Sequence, residues 1–292
     1  MKHLMTNRKG EFFVFTSTLS FGAMGVLARG IYQYDFPVLS TLFIRFFIAS
    51  LSMALYMKAT GLSFHVTKEE GKLLVFLGLL GYANFSLLYF TGVKYTGAAI
   101  VALVFSGFPV FVAILSRFVY KKPVGKKKGF FLFTSLVALF FLTGKQNVNV
   151  NLLGVFFSLA GSFFYAIYTM FLEDQRVKNI HPVTASFYII FLTTLALGVL
   201  TLAKAYPLTP PNLPVLWRLV VLGVFSTSVA ILTFYLGVQY LGAVKAAIIS
   251  NFEAVVSVFL AILFLGEQLT ILQWAGAILM ILSVVAVTIL KE

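Results

Sequence analysis

Cysteine is absent from the 292-residue chain, which excludes disulfides, thiolate nucleophiles and cysteine metal sites together. Histidine is almost absent: His3, His65 and His181 stand too far apart for ligand spacing, so no metal site is expected. No Gly-x-x-x-x-Gly-Lys-Ser/Thr stretch occurs, so direct use of ATP is not expected. Charge is scarce as well. Charged residues make up 11% of the chain, where a soluble domain carries about a quarter. No stretch is long and polar enough to form a separate soluble domain.

What fills the chain is apolar: 60% of residues are hydrophobic, and 33 are phenylalanine. A bilayer helix needs about 20 mostly apolar residues, and such segments recur from end to end. Turn residues and charges used as punctuation predict helices near 12–30, 38–57, 71–92, 97–119, 128–144, 153–172, 183–203, 216–237, 243–265 and 271–290. The expected fold is therefore all-α and integral to the membrane, with ten transmembrane helices. The first segment, "EFFVFTSTLSFGAMGVLARGIY", lacks a convincing small-x-small cleavage site, nine similar segments follow it, and it is expected to be retained. The phenylalanines read as lipid-facing and packing bulk.

The net charge of +13 reads as loop charge that sets orientation, not as a nucleic-acid surface. With the N-terminus inside, fifteen of the 22 Lys and Arg fall on inner segments and five on outer ones. Arg45 and Lys245 remain within or at the edge of helices. This bias predicts both termini in the cytoplasm, in the cell (inner or plasma) membrane. The run "RFVYKKPVGKKK" between spans four and five is its strongest anchor.

The two halves resemble each other. "GVKYTGAAIVALVFSGFPVFVAIL" (92–115) aligns without a gap to "GVQYLGAVKAAIISNFEAVVSVFL" (237–260), an offset of 145 that also places Pro37 on Pro182. Two five-helix repeats, 1–146 and 147–292, are expected. Because five is odd, the second enters the membrane from the opposite side, giving an inverted repeat. Inverted repeats are a signature of transporters, whose site lies near the midplane between the repeats.

Glu253 stands about ten residues into span nine, roughly 15 Å deep, in the middle of the apolar layer. A carboxylate there is paired, protonated, or part of a substrate or proton path. Arg45 lies roughly 11 Å into span two, and pairing with Glu253 is the simplest expectation for both. The repeat counterpart of Glu253 is Phe108. Lys94 and Lys245, at the starts of corresponding hairpins, are expected to snorkel. Asn84, Ser106, Tyr165, Tyr168, Tyr188, Ser250 and Asn251 are uncharged polar groups within spans. Each could bond a ligand or a neighbouring backbone carbonyl. Gly78 and Gly81 permit close packing and bending, which makes them gating candidates with Pro109. Pro109 predicts a bend in span four, and Ala254 at the matching position predicts a straighter span nine.

The stretches "PVLSTLFIRFFIASL", "YFTGVKYTGAAIVALVFSGFPVFVAIL" and "SNFEAVVSVFLAILFLGEQLTILQWAGAILMILSVVAV" resemble the drug/metabolite transporter superfamily, specifically its EamA-type members. The likeness covers essentially the whole chain. Lys122 replaces a frequent Glu after span four, and Ala254 replaces a frequent Pro after the span-nine Glu. The resemblance implies ten helices in two inverted repeats, no catalysis and no cofactor. It also implies secondary transport, expected as export, of a small polar organic metabolite such as an amino acid or related compound. Membrane lipid and protons are the other expected partners. A flippase of lipid or lipid-linked sugar is the alternative that the same architecture allows.

Overall fold

The structure, a computed structural model, describes residues 2–96, 101, 104–121, 125–143, 151–265 and 271–289. The expected start of span four at 97 and the substitution at Lys122 lie outside the described residues. Among those described, every regular element is helical. In chain order they are α1 (Lys2–Tyr32), α2 (Val38–Thr60), α3 (Lys68–Thr96), α4 (Phe108–Tyr120), α5 (Lys126–Thr143) and α6 (Leu152–Phe171). Then follow α7 (Pro182–Ala203), α8 (Leu213–Leu241), α9 (Ala243–Ser250), α10 (Glu253–Leu265) and α11 (Ile271–Ile289). A single-turn helix, Gln175–Lys178, sits in the connection before α7.

Among the described residues, six helices are long and apolar enough to cross a membrane: α1 from Arg8, α2, α3, α6, α7 and α8. The other four expected spans correspond to shorter or interrupted helices: α4, α5, the α9–α10 pair and α11. Local chemistry sets the ends. Thr67 and Glu70 form a reciprocal capping box at the start of α3, while Asn151 and Asn212 cap the first turns of α6 and α8. Gly61, at φ 68°, closes α2 in the left-handed conformation that glycine adopts without penalty.

Helix limits and packing repeat with the sequence. Both ends of α8 lie 145 residues beyond those of α3, and the same displacement relates α10 to α4. The contacts exchange partners accordingly. The second half of α3 packs on α6 and the second half of α8 on α1; α4 packs on α6 and α10 on α1. The pairs α2–α7 and α5–α11 each join equivalent helices.

The interior carries much of the polarity. Ser17, Ser40, Thr41, Ser158, Ser162 and Thr193 are at most 1% exposed, whereas Phe118, Phe130, Phe133 and Val199 are at least 60% exposed. This is the pattern of a chain solvated by lipid, where hydroxyls bridge helices and apolar groups face outward. Ser17 Oγ donates to Ala230 O at 3.0 Å, and Ser158 Oγ to Val101 O at 3.0 Å.

The middles of α3 and α8 widen into π-helical turns, at Phe76–Ala83 and Val224–Val229. A π turn shifts carbonyls away from their usual donors. Side chains satisfy them here. Asn84 Nδ2 donates to Leu79 O (2.8 Å) and Leu80 O (3.0 Å), Thr227 Oγ1 to Leu222 O (2.7 Å), and Thr193 Oγ1 to Gly78 O (3.1 Å).

Spans four and nine are both interrupted, and at equivalent residues. Ser106–Gly107 precedes α4, and Asn251–Phe252 separates α9 from α10. Span four is interrupted just before Pro109, and span nine, expected to be straighter from Ala254, is interrupted at the equivalent residues. The hydrogen bonds give the reason. Gly107 N bonds Val104 O and Val110 N bonds Gly107 O; Asn251 N bonds Ile248 O and Phe252 N bonds Ile249 O. Ladder bonds have tightened by one residue in both copies, a change any residue supports. Pro109 sits in the first turn of α4, where no N–H is required, and is not the cause of the break.

Candidate functional site

The two tightened turns face one cleft. Phe105, Ser106 and Phe108 line it from the first repeat, and Ser250, Asn251 and Glu253 from the second, with Tyr89 of α3 beside them. In this conformation the space admits about one water molecule. It is closed to any organic solute. Ser106 and Asn251, which occupy equivalent repeat positions, are 6% and 2% exposed.

Glu253 begins α10, and its carboxylate makes no ion pair or hydrogen bond with any described residue. Span nine is seated by α1. Gly22 leaves room for Val256, and Ser257 Oγ donates to Gly22 O at 3.0 Å. The carboxylate therefore borders a cleft at a helix start and is bonded to none of the described residues.

An aromatic wall continues from the cleft. The Tyr165 ring lies 4.5 Å from Phe85, 4.9 Å from Phe108, 5.3 Å from Phe105 and 5.6 Å from Tyr168 (centroid separations). The hydroxyls of Tyr82 and Tyr168 are buried and have no hydrogen-bond partner among the described residues.

Arg45 is 1% exposed but does not pair with Glu253, contrary to the expectation from depth. Its Nε donates to Thr227 Oγ1 at 2.6 Å, Nη1 approaches Met24 Sδ at 3.1 Å, and its Cζ lies over Phe46 (4.9 Å) and Phe90 (5.1 Å). The π turn of α8 presents Thr227 to it. Equal depth did not bring the two charges together because α2 packs on α7 and α8, whereas α10 packs on α1.

Other candidates are scattered. Tyr188 donates to Phe64 O at 2.7 Å in the α2–α3 connection, and Asn84 is occupied by the π turn. Ser250 bonds back to Ala247 O at 2.9 Å at the cleft edge. Gly78 and Gly81 are packing contacts: an added Cβ would stand 2.8 Å from Leu192 Cβ and 3.1 Å from Tyr168 Cβ. Lys94 is exposed near the end of α3, as a snorkelling lysine would be. Lys245 does not snorkel. It is 5% exposed and pairs with Glu11 at 3.0 Å. Sequence reasoning missed Tyr89, Phe105, Ser257 and Thr227, although the counterpart relation of Phe108 to Glu253 marked the right place.

The model of the EamA-like transporter family matches the chain twice, over residues 8–144 and 152–289. The chain belongs to this family. As a member of the EamA-like transporters it is a multi-pass membrane protein of a transporter family, with a small-molecule substrate implied and no catalytic activity indicated. The uncharacterized transporter YyaM of Bacillus subtilis is 26% identical over 271 residues, covering 90% of this chain and 88% of the relative. An uncharacterized transporter of Archaeoglobus fulgidus is 28% identical over 250 residues, covering 84% and 75%. One solved crystal structure of a protein superposes with TM-score 0.81 over 95% of both chains at 16% identity, a likeness of fold alone.

Proposed function

We propose that this EamA-like chain is a secondary transporter of a small polar organic metabolite, such as an amino acid or related compound. The five-helix repeats 1–146 and 147–292 alternately expose the cleft at Glu253 to the two sides. Both termini face the cytoplasm in this reading, and transport runs outward, driven by gradients or exchange. The observation that carries it is the pair of tightened turns at equivalent residues, 106–107 and 251–252, meeting at a cleft whose carboxylate bonds none of the described residues. Such irregular backbone inside a bilayer is tolerated where it is buried in protein or lines a cavity, and short stretches of 3₁₀ bonding are hinge positions.

Glu253 then meets the cationic part of the solute, or the proton exchanged for it. Ser106, Ser250 and Asn251 stand at the cleft rim as polar contacts. Tyr165 and Tyr168 shape its aromatic side, and Pro109, Gly78 and Gly81 lie on elements that move. Proteoliposomes test this. Wild-type protein should release a loaded polar metabolite, while Glu253→Gln, purified with the wild-type elution profile, should lose at least tenfold in rate. Wild-type vesicles that translocate fluorescent lipid but no soluble metabolite would refute the reading.

A further inference from the structure

Polar bonds close the two ends of the bundle unequally. Packing sorts the helices around the cleft into two groups, α3, α4 and α6 against α1, α8 and α10. The short helix α9 touches both groups, and the buried Lys245–Glu11 pair fastens it to α1 of the second. Exposing the cleft at either end requires the groups to part there. The ends are marked by neighbours: Gly10 of α1 lies against Leu241 at the end of α8, and Gly30 against Arg218 near its start.

At the end where α1 begins, three bonds cross from one group to the other. Tyr235 Oη donates to Val177 O at 2.8 Å, and Gln239 Nε2, one turn further along α8, donates to Leu172 O at 3.2 Å. The Glu173 carboxylate accepts from Ala243 N, the first residue of α9. Leu172 and Glu173 directly follow α6, whose last carbonyls have no donor within the helix, and Val177 lies in the single turn beyond. Gly242 makes the third bond possible. Its φ of 83° is left-handed, and an added Cβ would stand 2.9 Å from Glu173 Oε1. Leu172 and Val177 are fully buried and Tyr235 is 1% exposed, so parting the groups here leaves buried polar atoms without partners until water replaces them.

The repeat supplies the comparison. At the opposite end the offset of 145 places Phe90, Lys94 and Ala28 in the positions of Tyr235, Gln239 and Glu173. Phenylalanine has no hydroxyl and alanine no carboxylate, while Lys94 is exposed. Tyr32, in the position of Val177, keeps a buried hydroxyl with no hydrogen-bond partner among the described residues. The bonds that cross one end are therefore not repeated at the other.

We propose that Tyr235, Gln239 and Glu173 form a latch that makes opening at the end where α1 begins the harder of the two openings. This rests on the transport reading above, in which that end is cytoplasmic, and adds which face the empty cleft favours. With no solute bound, the cleft opens more often to the outer face, and entry from the cytoplasm waits on release of the latch.

The test places Tyr235→Phe, Gln239→Leu and both together in an Ala254→Cys chain, and measures reaction with impermeant maleimide in right-side-out and inverted vesicles. A tag on the N-terminus, which lies at the latch end, shows by its protease sensitivity which vesicles expose that end. Reaction from the latch end should rise about fivefold in each single variant, the factor for one net hydrogen bond, and further in the double variant. Reaction from the opposite end should stay level or fall, because a shift of population favours one face whereas general loosening favours both. Tyr235→Phe removes a single oxygen, so the comparison stands even if Gln239→Leu fails to fold. Equal acceleration from both ends, or none from the latch end, overturns the proposal and leaves alternating exposure standing. An Ala254→Cys parent labelled from one side only, or from neither, fails the transport reading and the latch with it.

Discussion

Arg45 and Thr227 form a relay: Nε of Arg45 donates to Thr227 Oγ1 at 2.6 Å, and that hydroxyl donates to Leu222 O at 2.7 Å. One hydroxyl thus satisfies both a buried cation on α2 and a carbonyl released by the π turn of α8. Thr227→Val leaves both without it and is expected to cost about 1–3 kcal/mol, while Thr227→Ser should cost less than half as much. Thermal unfolding of purified protein compares the two. A loss from Thr227→Ser as large as that from Thr227→Val would contradict the role given to the hydroxyl.

The buried pair Lys245–Glu11 ties α9 to α1, at 3.0 Å with side chains 6% and 18% exposed. Glu11→Gln or Lys245→Met alone strands the other charge and is expected to cost about 3 kcal/mol. The double variant should recover much of that loss. Unfolding midpoints of the four proteins in the cycle measure it. Additive losses would mean that the pair contributes nothing as a pair.

Much of this architecture is legible in the sequence, and the reason differs from element to element. The offset of 145 that aligns Gly92 with Gly237 also relates the ends of α3 to α8 and of α4 to α10, because equivalent sequences meet equivalent surroundings. Glu253 stood out because a carboxylate in an apolar run needs a reason. The cleft beside it was harder to read. Tyr89 and Phe105 are two aromatics among many, and only three-dimensional contact separates those that line a cleft from those that face lipid. The Arg45–Glu253 pairing failed because depth along a helix says nothing of which neighbours it has. Span nine was misjudged because proline was taken as the cause of a break that i→i−3 bonding produces without it.

Gly237 sits where α8 crosses α1, and a Cβ there would collide with Val14 Cγ2. Gly237→Ala is expected to destabilise by about 1–3 kcal/mol, with Val14→Ala in the same chain restoring part of the loss. The check is the unfolding midpoint of the single and double variants. A double variant less stable than Gly237→Ala would show that the overlap is absorbed elsewhere.

Because both tightened turns exist with and without proline, Pro109→Ala is expected to keep the interruption at Ser106–Gly107 and to alter transport less than twofold. Initial rates in proteoliposomes decide this. A tenfold slower Pro109→Ala protein with unchanged substrate affinity would return the hinge role to the proline ring.

The central claim is that the cleft beside Glu253 opens to both sides of the membrane in turn. With no native cysteine, an Ala254→Cys chain carries a single thiol, at a cleft-lining position 8% exposed in this closed conformation. Membrane-impermeant maleimide applied separately to right-side-out and inverted vesicles should label that thiol from both sides, and the transported solute should slow each reaction. An Ala254→Cys protein that still transports, yet is labelled from one side only or from neither, would contradict the account.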